Sequence, residues 1–300
     1  MLFIFQTALE LGCVYSLVAL ALFLSYRILD IADLTTDGCF ILGMAVSVSS
    51  AAAGHPILGI FLGMIAGGCA GYVTAFLQTR MGVPSILAGI ITNTGLYTVN
   101  LAAMGWSSNV SLLKGDTIYT LFKGLGIGGT WYKAVLAGII CAVCMGLMKW
   151  FLSTRIGLSI RATGDNKDMV SASSIDPRHT IMLGLVIANC LTGLSGALAG
   201  QMQKSADING GTGIVVIGLA CLIIGETLIN GRKNMGRNIL ACLIGNIVYR
   251  LIYAIILRTS IIPIECLKLV TAIIVALAIA APTIKENMQY ALKARREGKN

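Results

Sequence analysis

The chain alternates between long apolar runs and short polar breaks. Nine runs stand out, at roughly 2–24, 36–53, 57–79, 84–104, 131–152, 179–203, 212–229, 238–259 and 264–282. Uncharged stretches of this length predict helices that cross a hydrocarbon layer, because a chain in lipid must satisfy its own backbone hydrogen bonds. The short alternating segments of a β-barrel are absent from the pattern. Two runs, 36–53 and 212–229, are short for a core about 30 Å thick at about 1.5 Å per residue. The fold class expected is an all-α polytopic membrane protein with about nine transmembrane helices.

The polar breaks add direction. Alternate loops hold Arg27; Arg80; Arg155, Arg161, Lys167 and Arg178; Arg232, Lys233 and Arg237; then Lys285, Lys293, Arg295, Arg296 and Lys299. The other set holds Lys114, Lys123, Lys133, Lys204 and Arg258. Fourteen against five places the first set in the cytoplasm, the N-terminus outside and the C-terminus inside. Residues 1–282 then form one membrane domain and 283–300 a basic cytoplasmic tail. The outer segment "GWSSNVSLLKGDTIYTLFKGLGIGGT" (105–130) is bordered by Trp106 and Trp131, which suit an interface. It either caps the outer mouth, receives a partner, or is a surface loop.

Composition agrees with the pattern. Of 300 residues, 56% are hydrophobic and 12% charged, against about 25% charged in soluble domains. The formal charge of +9 is accounted for by cytoplasmic loops, and no interleaving of basic and aromatic residues points to nucleic acid. "MLFIFQTALELG" lacks a basic leader and carries Glu10, so no cleavable signal is expected. Most of the nine cysteines lie inside apolar runs, and Cys141 and Cys144, although spaced CxxC, have no histidine nearby. They read as small packing residues, and no metal site is expected.

One break is unusually long. "IRATGDNKDMVSASSIDPRH" (160–179) is a polar island between apolar runs. Gly157 and Gly164 interrupt the preceding helix, and Asp165 or Asn166 can cap a new one. Met169, Val170, Ala172 and Ser173 would share a face before Pro177 ends the element. Such a short helix, lying along the membrane, suits docking to a cytoplasmic partner; the plainer alternative is a solvated loop.

Ionisable and polar residues within the runs supply further candidates. Glu10 and Arg250 fall at similar depths, roughly 12–14 Å from the outer end by helical rise. They are expected to face each other as a buried ion pair, unless Arg250 instead meets a solute carboxylate. Asn93, Tyr97 and Asn100 form one stripe, as do Asn189, Thr192 and Ser195. Asn246, Tyr249 and Tyr253 share a face with Arg250. Stripes of this kind either bond helices together or line a water-filled path. Asp33, Thr35, Thr36 and Asp37 either cap the second run or form an unwound stretch beside a path. "ADLTTDG" (32–38) and "ADINGGTG" (206–213) each precede a short run, one from each side, which suggests an inverted repeat. Gly63, Gly67 and Gly71, with Gly196 and Gly200, read as close-packing positions.

Several of these segments together resemble the permease subunits of ABC importers in the branched-chain amino acid and ribose class. "GLSIRATGDNKDMVSASSIDPRHTIMLGLVIANCLTGLSGALAGQ" is similar to the family's coupling-loop region, with its RA-x-G-x-N at Arg161, Ala162, Gly164 and Asn166. "SYRILDIADLTTDGCFILG" resembles its DLS-V-G segment, and "DINGGTGIVVIGLACLIIGETLING" its Gly-rich seventh span. "ILAGIITNTGLYTVN" (86–100) resembles a subgroup assigned to tryptophan or tyrosine. The chain departs from the pattern at "SSIDP", where the family usually has a glycine before the isoleucine.

The resemblance implies that loop 153–178 inserts into a separate cytoplasmic ATPase, with Arg161, Gly164, Asp165, Asn166, Asp168, Met169 and Ser173 as coupling residues. The chain has no G-x-x-x-x-G-K-[ST], so ATP would sit on that partner, with no cofactor here. It further implies a homodimer in the plasma membrane, an extracytoplasmic substrate-binding lipoprotein, and a small solute, with an aromatic amino acid favoured. The path candidates are Asp33, Thr35, Thr36, Asn93, Tyr97, Asn100, Asn189, Asn246 and Arg250. Branched-chain amino acids, nucleosides and sugars remain alternatives, as does an ion-driven transporter using Glu10. An intramembrane enzyme is disfavoured, because the only histidines, His55 and His179, lie at run ends.

Overall fold

The computed structural model describes residues 2–112, 115–124, 126, 129–229 and 234–259, with isolated positions 272, 273, 276 and 280. In chain order the helices are α1 (Leu2–Leu22), α2 (Thr36–Ala52), α3 (Pro56–Thr79), α4 (Ser85–Ala103), α5 (Ile118–Gly124), α6 (Tyr132–Ser153), α7 (Arg155–Asp165), α8 (Lys167–Ala172), α9 (Pro177–Gln203), α10 (Ile214–Ile229) and α11 (Met235–Thr259). A π-turn, Phe23–Ile28, extends α1, and a 3-10 turn, Gly129–Trp131, leads into α6. Prolines 56 and 177 stand at the first turns of α3 and α9, where a missing N–H costs nothing.

Among the described residues, six helical segments are long and apolar enough to cross a membrane: Phe5–Ile28, Pro56–Thr79, Ser85–Ala103, Gly129–Ser153, Pro177–Gln203 and Met235–Ile256. The two runs expected to be short are the short helices α2 and α10, of 17 and 16 residues. Eight of the nine expected runs are therefore helices. The ninth, 264–282, lies outside the described residues apart from the four isolated positions, and so does the tail 283–300.

Helix α9 is the hub, packing on α1, α2 and α3. Close approach requires the absence of side chains. Gly43 of α2 lies against the backbone of Gly193 in α9, and Gly63 of α3 sits against Gly43 and Ala197. A Cβ on Gly63 would come within 2.9 Å of the Gly43 carbonyl oxygen. The predicted small-residue faces do this work: Gly67 meets Asn189 and Gly193, Gly196 meets Phe40, and Gly200 meets Met44 and Val48. The opposite face of α3, with Ile57, Phe61 and Ile65, is exposed, as are Val143, Leu147 and Trp150 of α6. These are surfaces for lipid or for protein neighbours.

A purely helical reading needs one amendment. Two strands, β1 (Asn109–Ser111) and β2 (Ser205–Asp207), pair antiparallel with Val110 opposite Ala206. They tie the segment after α4 to the end of α9. Beside them the buried Gln201 amide donates to Ser47 Oγ at 2.9 Å and to the Pro56 carbonyl at 2.7 Å. Its oxygen accepts the Ile118 N–H that starts α5. This end of the bundle, where α2, α4 and α9 finish, is thus closed by α5 and the ribbon. The opposite end carries α7 and α8.

Candidate functional site

At the second end, three polar side chains shape an elbow. Thr154 Oγ1 accepts the Gly157 N–H and caps α7; Asn166 Oδ1 accepts the Asp168 and Met169 N–H groups at 3.0 Å and caps α8. Asp176 Oδ1 accepts the Arg178 N–H and caps α9. The cap at Asn166 is one of the two expected. Gly157 and Gly164, however, lie inside α7 rather than breaking a helix, and the break falls at Thr154. Gly164 instead clears the backbone of Ile28. Pro177 does not end α8, which stops at Ala172; it begins α9.

The elbow is anchored on one side only. Ile160 is fully buried, and the hydroxyls of Thr163 and Thr180 bond at 2.8 Å, joining α7 to α9. Val170 is buried, whereas Met169 is 70% exposed, so the two do not share a face as expected. Arg161, Asp165, Asn166, Asp168 and Ser173 are exposed around Met169, and Gly164 is half-buried. Beside the elbow a cavity of about 650 Å³ is lined by Asp30, Ile31, Gln78, Lys167, Asp176 and Arg178, among others.

The second polar assembly lies deep in the bundle, where α2 begins. Asp33 is buried; its Oδ1 accepts the Thr35 N–H at 2.9 Å and its Oδ2 accepts Asn189 Nδ2 at 2.6 Å. Thr36 Oγ1 donates to the Asp33 carbonyl, and Thr35 and Thr74 join hydroxyls at 2.8 Å. Asn189 stands near the middle of α9. The start of α2 is therefore well inside the bundle. Asp37, in its first turn, reaches across to α10: Oδ2 accepts the Gly213 N–H and Oδ1 the Val215 N–H, each at 2.9 Å. A carboxylate on the positive end of a helix is favourable, and here it joins the starts of two helices. From this junction α2 runs toward the ribbon, with Ser47 bonding the Ala197 carbonyl. Helix α10 runs the other way, with Gly218 against Leu22 and Gly225 against Ala241.

The other path candidates divide. Asn93 approaches Gly38, and Asn100 Nδ2 donates to the Gly38 carbonyl at 3.2 Å, so both flank the start of α2. Tyr97, expected on the same stripe, is 53% exposed and faces away. Thr192 bonds within α9 and Ser195 bonds the Val14 carbonyl of α1, which makes them joints between or within helices.

The expected Glu10–Arg250 ion pair is not formed. Glu10 accepts a hydrogen bond from Gln6 at 3.0 Å, while the Arg250 guanidinium lies 3.8 Å from the ring centre of Tyr15. Residue counting estimates height along each helix but leaves azimuth free. Tyr15 is five residues beyond Glu10, about 140° around the helix, and it is Tyr15 that faces α11. Asn246 Nδ2 donates to the Tyr15 carbonyl at 3.3 Å, and Tyr15 packs against Phe40 of α2 with centroids 5.4 Å apart. Among the described residues Arg27 forms an ion pair with Glu226 at 3.1 Å, and His179 Nε2 lies 3.7 Å from Asp176 Oδ2. The described cysteines are all free, and no group of three potential metal ligands occurs among the described residues.

The sequence reading missed Asp37 as a bridge, Gln201 as a tie and Thr74 as a partner. Only Asp37 had a signal, since it lies in one of two echoing motifs that each precede a short run.

Comparison with known proteins bears on this arrangement. The model of a family described as "Branched-chain amino acid transport system / permease component" matches residues 4–281. The chain is 30% identical to a tyrosine transport system permease protein of Clostridioides difficile, over 92% of this chain and 90% of that one. It is 33% identical to an uncharacterized protein of Rickettsia prowazekii, over 92% and 96% respectively. A D-allose transport system permease of Escherichia coli is 26% identical over 64% of this chain and 57% of its own length. No solved structure matches.

Proposed function

The chain belongs to the permease-component family of branched-chain amino acid transport systems, and from that premise we propose that it is the membrane subunit of an ATP-driven importer of aromatic amino acids, tyrosine foremost. As a member of that family it is a multi-pass membrane transport subunit rather than an enzyme. In our reading, ATP is bound and hydrolysed by a separate cytoplasmic ATPase, two copies of this chain work together, and a substrate-binding lipoprotein delivers the solute from outside. In this reading the elbow faces the cytoplasm, which the distribution of lysine and arginine supports.

The observation that carries this proposal is the elbow. A six-residue helix, capped by Asn166 and pinned beneath by Val170, holds Met169 out beyond the membrane domain. An exposed methionine on a short rigid helix suits a groove in a partner. The elbow is also connected to the interior. Force on α8 passes through Pro177 into α9, which runs unbroken to Asn189 and there holds Asp33. Asp37 carries the same displacement to α10. The solute path would pass the junction of α2 and α10 and leave through the cavity beside Asp30 and Lys167. The opposed courses of these two short helices, each preceded by an echoing motif, support an inverted repeat with its centre at Asp37.

The amino acid reading is supported by the tyrosine permease relative. Replacing residues 168–173 with a Gly/Ser linker should abolish co-purification with the ATPase while the membrane domain remains monodisperse. A linker variant that still brings down the ATPase, or wild-type uptake that needs no ATPase, overturns the proposal.

A further inference from the structure

Among the described residues six buried side-chain polar atoms lack a hydrogen-bond partner, and three of them lie within about one turn of α11: Asn246 Oδ1, Tyr249 Oη and Arg250 Nε. Asn246 and Tyr249 are each only 1% exposed. Arg250 itself is half-buried; a guanidinium is always charged, and holding one within a membrane span costs a few kcal/mol unless it is compensated. Its described contact is the Tyr15 ring, which offers a π face but accepts none of its N–H bonds in line. Among the described residues, the acids within the bundle are engaged elsewhere: Glu10 with Gln6, Asp33 with Asn189, Asp37 with the start of α10, and Glu226 with Arg27.

We propose that Arg250, Tyr249 and Asn246 form a subsite for the α-carboxylate and α-ammonium of the transported amino acid. The assignment rests on the amino acid reading above and extends it to named atoms. The orphaned groups are two donors, the Arg250 Nε–H and the Tyr249 hydroxyl, and one acceptor, the Asn246 carbonyl oxygen. An α-amino acid head presents the complement: an anionic acceptor and a cationic donor joined through one carbon. A simple anion would satisfy the donors and leave Asn246 bare; a sugar or nucleoside would leave the charge uncompensated. Position agrees, because Arg250 stacks on Tyr15, Tyr15 packs on Phe40, and Phe40 lies one turn beyond Asp37. The subsite thus adjoins the junction of α2 and α10.

A residue kept for a ligand differs from one kept for the fold in what its removal does to the empty protein. Arg250→Gln should leave the thermal midpoint of the ligand-free protein in neutral-lipid nanodiscs unchanged or raised. Wild-type protein should be stabilised by L-tyrosine but not by tyramine, which lacks the carboxylate, nor by inorganic phosphate. Arg250→Gln should raise the half-saturating L-tyrosine concentration at least tenfold, Arg250→Lys by less, and Tyr249→Phe a few-fold. Stabilisation of wild type by phosphate or by anionic lipid equal to that by L-tyrosine would overturn the assignment in favour of a plain anion or a headgroup. An unchanged L-tyrosine response in Arg250→Gln, or a fall in its ligand-free midpoint matched by Arg250→Lys, also overturns it. Uptake separates this from the parent reading. Wild-type transport of D-allose or uridine and of no amino acid overturns the importer's proposed substrate. Wild-type tyrosine uptake that Arg250→Gln leaves untouched overturns the subsite alone.

Discussion

Two polar assemblies occupy the interior of this bundle, and they differ in how completely they are paired. Around Asp33, both carboxylate oxygens are engaged, Thr35 and Thr74 share a bond, and glycine-lined helices close over the whole, leaving the neutral Asn189 amide oxygen as the unpaired atom. Around Arg250, its Nε–H, the Tyr249 hydroxyl and the Asn246 carbonyl oxygen are left without partners. A buried charge whose partners are all supplied by the chain contributes to the architecture. One whose partners are missing has been retained at the expense of stability, and function is the usual reason for that. Sequence patterns put both assemblies on one list of path candidates; only their pairing separates them.

This contrast can be broken at three levels. The greatest loss is expected from Gly193→Leu, which forces a side chain into the backbones of Gly63 and Gly67 and removes the packing that encloses Asp33. We expect little folded protein on size exclusion, or a deficit of about 4 kcal/mol, near the upper end for single substitutions. A well-folded Gly193→Leu protein would mean that the enclosure is not tight. Next, Asp33→Ala should cost about 2 kcal/mol by stranding the Thr35 N–H and one of the two Asn189 amide hydrogens, the other staying on the Leu185 carbonyl. Arg250→Gln should show no such cost, and equal losses at the two sites would erase the distinction between them. The smallest effect belongs to Glu226→Gln. Its pair with Arg27 is substantially exposed, at 26% and 52%, so the change in midpoint should correspond to about 0.5 kcal/mol or less and should shrink further in high salt.

Much of the scaffold is legible in the sequence because it depends on local periodicity. Apolar runs gave the helices, and Asn166 was among the two residues expected to cap α8, whereas Pro177, expected to end that element, begins α9. The elbow's course was only half legible. Glycine is a weak breaker when close packing demands it, and Gly164 sits where a side chain would meet Ile28. Contacts across the bundle were hidden for a different reason. The misplaced Glu10–Arg250 pair shows that residue counting along two helices fixes height but leaves rotation free. The three-residue strands are too short for any alternation to register, since their pairing joins residues almost a hundred positions apart. Asp37 and Gly213 are likewise far apart in the chain, and only their echoing motifs hinted at a shared role.

The glycine contacts described between α2, α3 and α9 have a mechanical consequence. Backbones held this close, with no side chains between them to slide or repack, travel as one rigid body. Any alternation of access must then come from what is attached to that body. Helix α10 hangs from it by two hydrogen bonds to Asp37, next to Gly213 at φ +83°, which is the geometry of a hinge.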